Sequence, residues 1–360
     1  MTGTPSPATP SAGAGRRCAA LVQRLSPQER VGQLLMVAVA STGMTAEEAA
    51  AVERTRTGSV ILLGNTTAGT RAVQDVVADV REAVVEPRQV EVLLAADQEG
   101  GQVQRLAGDG FSDIPSAAQQ ARSSAGELAQ QAQTWGEELD RAGIDADLAP
   151  VADVVPRALA GVNEPIAGLQ RGYGSDPDVV AEKVAAFTTG MGEAGIATAV
   201  KHFPGIGEVR GNTDTARRVV DTTTTRRDPG LAGFRAAVEA GADMVMVSSV
   251  IYDRIDGRRQ AAFSPTVVDG MIRGDLGFDG VVISDDLAAA AVQDLAPGRR
   301  AVGFVQAGGD LAIVGDPAEA ATMAGALADR AASDPAFASR VDESAARVLA
   351  LKDRRGLADC

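Results

Sequence analysis

The chain contains one histidine, His202, which follows Lys201, one of only three lysines, at the end of the apolar run ATAV. Phe-Pro-Gly and a long polar loop come next, so the Lys-His pair sits where a strand hands over to a loop. The same transition recurs. One apolar run ends in DQEGGQVQR, with Asp97, Glu99 and Arg105, and another ends at Asp153. Arg171 stands in a loop before a helical stretch, and two further runs end at Ser248-Ser249 and Ser284-Asp285-Asp286. Carboxylates accept from hydroxyls while Arg and Lys donate to them, so this set suits a polyhydroxyl ligand. Each residue also has a structural use when taken alone. Asp285 or Asp286 would cap a helix, Asp153 would brace a loop, Lys201 would pair with a carboxylate, Arg171 would anchor its loop, and His202 would be a hydrogen-bonded core residue. The chemical use prevails if one fold brings them to a common mouth.

Such a fold is legible in the hydrophobic pattern. Eight apolar runs occur: 31–39, 58–64, 90–98, 145–154, 197–203, 242–250, 280–287 and 310–315. Most are near-continuous Val, Ile and Leu rather than alternating, as in parallel strands covered on both faces. Helical stretches separate them. Asp176 and Pro177 suit an N-cap and first helical position, and Val180, Val184, Phe187 and Met191 follow at helical spacing. The segments 69–86, 116–142, 228–240, 264–275 and 316–352 read the same way. Eight βα units predict a single (β/α)8 TIM-like barrel over residues 20–360, with its chemistry at the C-terminal ends of the strands. The alternative is an open doubly wound sheet, but no dinucleotide-type glycine loop follows an early strand. Residues 1–19, rich in Pro, Ser, Thr and Ala, read as a disordered tail.

Bulk properties exclude several function classes. A net charge of −14 argues against nucleic acid or an anionic membrane as partner. Aromatics make up 3% of the chain, which leaves few stacking platforms. No apolar run reaches the roughly 18 residues of a membrane span. Two cysteines and one histidine are too few for an ordinary metal site, and no metal or organic cofactor is expected. First and last elements are neighbours in a closed barrel, so Cys18 and Cys360 can form a disulfide; the other reading is two free thiols. A disulfide and a tether-like N-terminus would place the protein outside the cytoplasm, in or near the envelope, with the cytoplasm as the alternative.

KHFPG at 201–205, DQEGG at 97–101 and SDD at 284–286 together resemble the family 3 glycoside hydrolases, in particular the single-domain bacterial β-N-acetylhexosaminidases. LSPQERVGQLLM near the start, LAPVADV at 148–154 and RGYGSDP at 171–177 extend the resemblance, in order, over roughly residues 20–355. It implies a barrel and a retaining, two-step hydrolysis that removes terminal β-linked N-acetylglucosamine, from cell-wall or chitin-derived oligosaccharides. Asp285 falls on the family's nucleophile, and Asp97, Arg105, Arg171, Lys201 and His202 fall on its sugar-binding positions.

The resemblance fails at one place. The branch usually carries KHFPGHG and then an Asp-Ser-His element whose histidine, paired with its Asp, is the acid/base. Here Ile206 stands at the second histidine of KHFPGHG, Ala216 at the acid/base histidine and Asp214 at its Asp, while the usual histidine of the sixth strand end is Ser249. Asp214 is the leading candidate acid/base, with Glu208 and Asp221 on the same loop as alternatives. Other answers are an activated donor or a phosphate acceptor, or a catalytically impaired sugar-binding envelope protein. A Schiff-base enzyme using Lys201 is a third class.

Overall fold

The computed structural model describes residues 14–360. Each apolar run contributes one strand: β1 Leu35–Ala40, β2 Ser59–Leu63, β3 Leu93–Ala96, β4 Ala146–Asp147, β5 Ala197–Phe203, β6 Met244–Val247, β7 Val281–Ser284 and β8 Ala312–Val314. All pairings are parallel, in the order β7-β6-β5-β4-β3-β2-β1-β8. A bridge between Ile283 and Leu311 joins the two ends, so the sheet closes into the expected (β/α)8 barrel.

Both strand faces are buried, for different reasons. Val37, Val39, Val60 and Leu62 point outward into the layer shared with the helices. Met36, Ala38, Ile61, Ala95, Ala199 and Met246 fill the barrel interior. That two-sided burial is why the runs lack alternation. The interior is stopped at its N-terminal end by Val348, Leu351 and Leu357 from the chain's last segment. Among the described residues the C-terminal end is therefore the mouth the strands leave for a ligand.

The helices begin where polar caps dictate. Ser26 and Glu29 form a capping box for α1, Pro27–Gln33, so residues 31–33 of the first apolar run are helical rather than extended. Asp176 accepts from Asp178 N at the start of Pro177–Glu193, with Pro177 in the first turn. The stretch expected as one helix over 316–352 is two, Pro317–Ser333 and Pro335–Arg354, because Asp334 ends the first and caps the second before Pro335. Residues 1–13 of the expected tail lie outside the described residues. Within the rest of it a helix runs from Ala14 to Val22, since Cys18, Leu21 and Val22 are buried in the core and Cys18 is disulfide-bonded to Cys360. Among the described residues no helix is long and apolar enough to cross a membrane.

Two irregular features shape the mouth. The loop after β5 returns as Val220–Asp221, pairs with Ile251–Tyr252, and through it joins Gly257–Gln260 in a small three-stranded sheet. After β3, Gln98–Gly100 pairs antiparallel with Val103–Gln104. Gly100 has φ +98°, and a Cβ there would lie 2.3 Å from Pro115 O, which accounts for the first glycine of DQEGG.

Candidate active site

A cavity of about 270 Å³ opens at the C-terminal ends of the strands. Its walls include the seven leading candidates from the sequence, the nucleophile and acid/base candidates Asp285 and Asp214 and the sugar-binding candidates Asp97, Arg105, Arg171, Lys201 and His202. Asp97 directly follows β3 and Asp285 directly follows β7, while Lys201 and His202 lie within β5. In a regular strand neighbouring side chains face opposite ways. The register of β5 against β6 shifts between Val200 and Phe203, and this irregularity lets both Lys201 and His202 reach the cavity.

Most of these residues form one buried network. Lys201 Nζ lies 2.6 Å from Asp97 Oδ1 and 2.7 Å from Glu99 Oε1. Arg171 donates twice to Glu99, from Nε and Nη2, both at 2.8 Å. Burial opposes ionisation of Glu99, but Arg171 and Lys201 outweigh it and hold the carboxyl far below its usual range. Burial likewise opposes the Lys201 ammonium, yet Asp97 and Glu99 raise its pKa above the ordinary value. A lysine held as a cation between two carboxylates is a donor to a ligand, not an amine nucleophile, which counts against Schiff-base chemistry.

His202 is also committed. Its Nδ1 lies 2.7 Å from Asp153 Oδ2, and Arg171 Nη2 lies 3.3 Å from its Nε2. A guanidinium only donates, so Nε2 accepts and Nδ1 carries the hydrogen toward Asp153. Asp153 is fully buried and its other oxygen accepts from Ile206 N at 2.7 Å. With both ring nitrogens engaged, the chain's one histidine orients Arg171 and braces the turn after β5. It is not free to shuttle protons.

Asp285 and Asp286 divide their roles. Asp286 Oδ1 accepts from Ala288 N and Gly315 N, at 2.8 and 2.9 Å, tying β7's exit to β8's. Burial pushes Asp286 up to about 6. Asp285 accepts only from its neighbour's N–H, Asp286 N, at 2.9 Å. Burial pushes the Asp285 carboxyl above its usual range, and nearby Asp214 adds to the push.

The opposite wall belongs to the loop after β5. Ile206, Asn212, Thr213 and Asp214 line the cavity there. Asp214 is exposed. Its loop is fastened to the segment after β7, where Ala291 N donates to Thr213 O at 3.0 Å. The two alternative carboxylates do not line the cavity. Asp221 is buried and spends its oxygens on Thr223 N, Thr224 N and the Thr224 hydroxyl. Glu208 faces a separate depression beside Arg218 and Thr222. Ser248, expected at the mouth, is instead hydrogen-bonded to Tyr252 Oη at 2.9 Å, and Ser249 is buried; neither lines the cavity. Arg105 sits at the rim, donating to Asn65 Oδ1 at 2.9 Å.

Glu99 and Asp153 were visible in the sequence as polar strand-end residues but carried no assigned role. Their importance comes from pairing with Arg171 and His202 across separations of 72 and 49 residues, which no local pattern encodes.

Comparison with known proteins adds independent findings. Residues 27–351 match the N-terminal domain of glycosyl hydrolase family 3. A β-hexosaminidase of Stenotrophomonas maltophilia is 36% identical over 272 residues, covering 72% of this chain and 76% of that protein. The crystal structure of a β-N-acetylhexosaminidase from Beutenbergia cavernae is 44% identical, with a TM-score of 0.89 over 91% of this chain and 98% of that one. A family 3 β-N-acetylglucosaminidase from Paenibacillus is 30% identical, with a TM-score of 0.83 over 93% of this chain and 64% of that one.

Proposed function

The chain belongs to glycosyl hydrolase family 3 and is a glycosidase that removes N-acetylglucosamine, and from that premise we propose that it works by a retaining, two-step route with Asp285 as nucleophile and Asp214 as acid/base. The observation that carries this reading is the contrast at the end of β7. Asp286 is tied to two backbone amides, Ala288 N in its own turn and Gly315 N after β8, while the Asp285 carboxylate faces the cavity with a single short-range hydrogen bond.

Retention needs one carboxylate to attack and a second group to move the proton. Asp285 attacks the anomeric carbon, its carboxylate oxygen forming the new bond while the bond to the leaving oxygen breaks. Asp214 donates a proton to that leaving oxygen and, in the second step, accepts one from water as water displaces Asp285. Asp97, Lys201, Arg171 and Arg105 hold the sugar hydroxyls, and His202, lining the same wall, orients Arg171 toward them. A cavity of about 270 Å³ has room for one terminal ring rather than a chain, which fits removal of single end residues. Cell-wall or chitin-derived oligosaccharides are the proposed source of substrate. The Cys18–Cys360 disulfide suggests a compartment outside the cytoplasm, and we place the protein at the cell envelope.

The test is a paired assay of wild type and Asp285→Asn on an aryl β-N-acetylglucosaminide with a good leaving group and on an unactivated N-acetylglucosamine disaccharide. Both substrates are cleaved by the wild type and neither by the variant if the proposal is right. An Asp285→Asn protein that still turns over the aryl substrate would remove Asp285 from the nucleophile's role.

A further inference from the structure

We infer that Asn163 is a positioning residue that sets the loop carrying Asp214 against the pocket; this rests on Asp214 as acid/base. The Asp214 loop has no histidine of its own to hold it, since Ile206 and Ala216 occupy the places where the resemblance expects histidines. Its position is set through the backbone. Asn163, 1% exposed, lies in the loop after β4 and aims its amide nitrogen at three carbonyls of the loop after β5. Nδ2 is 2.9 Å from Ile206 O, 3.2 Å from Gly207 O and 2.8 Å from Val209 O. Beside it, Glu164 N donates to Arg210 O at 3.1 Å. Gly207 allows the close approach, for a Cβ there would sit 1.8 Å from Val154 O.

The other half of the amide faces the sugar side. Asn163 Oδ1 accepts from Ile166 N and Ala167 N, at 3.1 and 2.9 Å. The adjoining Pro165 O accepts from Arg171 Nη1 at 2.9 Å. One buried side chain thus joins the segment that seats Arg171 to the segment that leads to Asp214. Its donors serve the proton-transfer loop and its acceptor serves the sugar loop. A neutral amide is the side chain that supplies both. Asp in its place keeps the acceptor and loses the donors, so the two halves can be separated by one substitution.

A small displacement of a proton donor costs rate only where the proton is needed. Acid catalysis contributes about 10²–10⁴-fold when the leaving group is poor, and a misplacement of about 1 Å costs about 10²-fold. Asn163→Asp is therefore expected to lower kcat/KM on the unactivated disaccharide about 10–100-fold. On an aryl glycoside with a good leaving group kcat/KM, which reports the first step, stays within about threefold. Asn163→Ala serves the same comparison should the aspartate variant fail to fold. In an Asp214→Ala background either substitution adds less than about twofold, because the two residues act through one step. Equal losses on both substrates, no selective loss, or a full additional loss in the Asp214→Ala background would overturn the inference. If Asp214→Ala itself shows no selectivity for leaving group, the acid/base assignment falls and this inference with it. If Asp214→Ala is selective and both Asn163 variants are not, only this inference falls.

Discussion

The two sides of the pocket are built by opposite means. On the sugar side, Glu99, Lys201, His202 and Asp153 are buried and Arg171 and Asp97 half-buried, joined by contacts of 2.6–3.3 Å. On the proton-transfer side, Asp214 is an exposed carboxylate on a loop, placed by backbone hydrogen bonds to neighbouring segments. Asp285 stands between them, half-buried and nearly unpartnered. The difference follows from the tasks. Binding a ring of fixed shape rewards a rigid, saturated cradle. A group that must gain and lose a proton each cycle cannot be locked in a buried ion pair, which would hold it in one state.

The comparison can be broken or sharpened by substitution. Replacing Asp285 with Asn should reduce kcat/KM on both substrates by about 10⁴-fold or more, because no other carboxylate is free at that position. Steady-state kinetics on the folded variant would show it. Replacing Asp214 with Ala should reduce hydrolysis of the disaccharide about 10²–10⁴-fold while leaving the first step on a good aryl leaving group little changed. A uniform loss on both would mean Asp214 does structural work instead. Replacing Arg171 with Met should act on the fold as well as on binding. It leaves Glu99 buried with only Lys201 beside it, at a cost of about 3 kcal/mol in denaturant unfolding, toward the low end for breaking a buried pair. The Asp214→Ala change should move stability by less than about 0.5 kcal/mol, as for an exposed loop residue. Similar costs for the two would erase the distinction between cradle and loop.

The pH profile separates the sides further. Asp285 must be ionised to attack, and burial raises its pKa, so the acid limb of kcat/KM should lie above the ordinary aspartate range near about 3.9. Activity falls as pH drops through that raised value. In Asp214→Ala, assayed with an aryl substrate, that acid limb should persist, because it belongs to Asp285.

The strands were legible because parallel barrel strands are apolar on both faces, and all eight runs became strands. The pocket residues were legible because they sit at strand ends, where a barrel puts its chemistry. What the sequence concealed is pairing at a distance. Nothing local distinguishes Asp285 from Asp286; Gly315, on β8's exit, claims one of them. Glu208 and Asp221 share Asp214's loop in the sequence, yet the loop's return as a strand turns Asp221 inward to its threonines and leaves Glu208 elsewhere. Asn163 lies in an unremarkable polar loop, and its role exists only because that loop meets residues 206–209. The Asp334-Pro335 helix break carried a readable signal, a cap followed by proline, inside a pattern periodic enough to hide it.

The most direct measurement is the product formed by Asp214→Ala when azide is added to an aryl β-N-acetylglucosaminide reaction. With Asp285 as nucleophile and Asp214 as acid/base, azide needs no base and attacks the glycosyl-enzyme from the face that Asp214 served. The account predicts faster turnover and a β-glycosyl azide. No acceleration by azide, or an α-glycosyl azide, would contradict the assignment of Asp214.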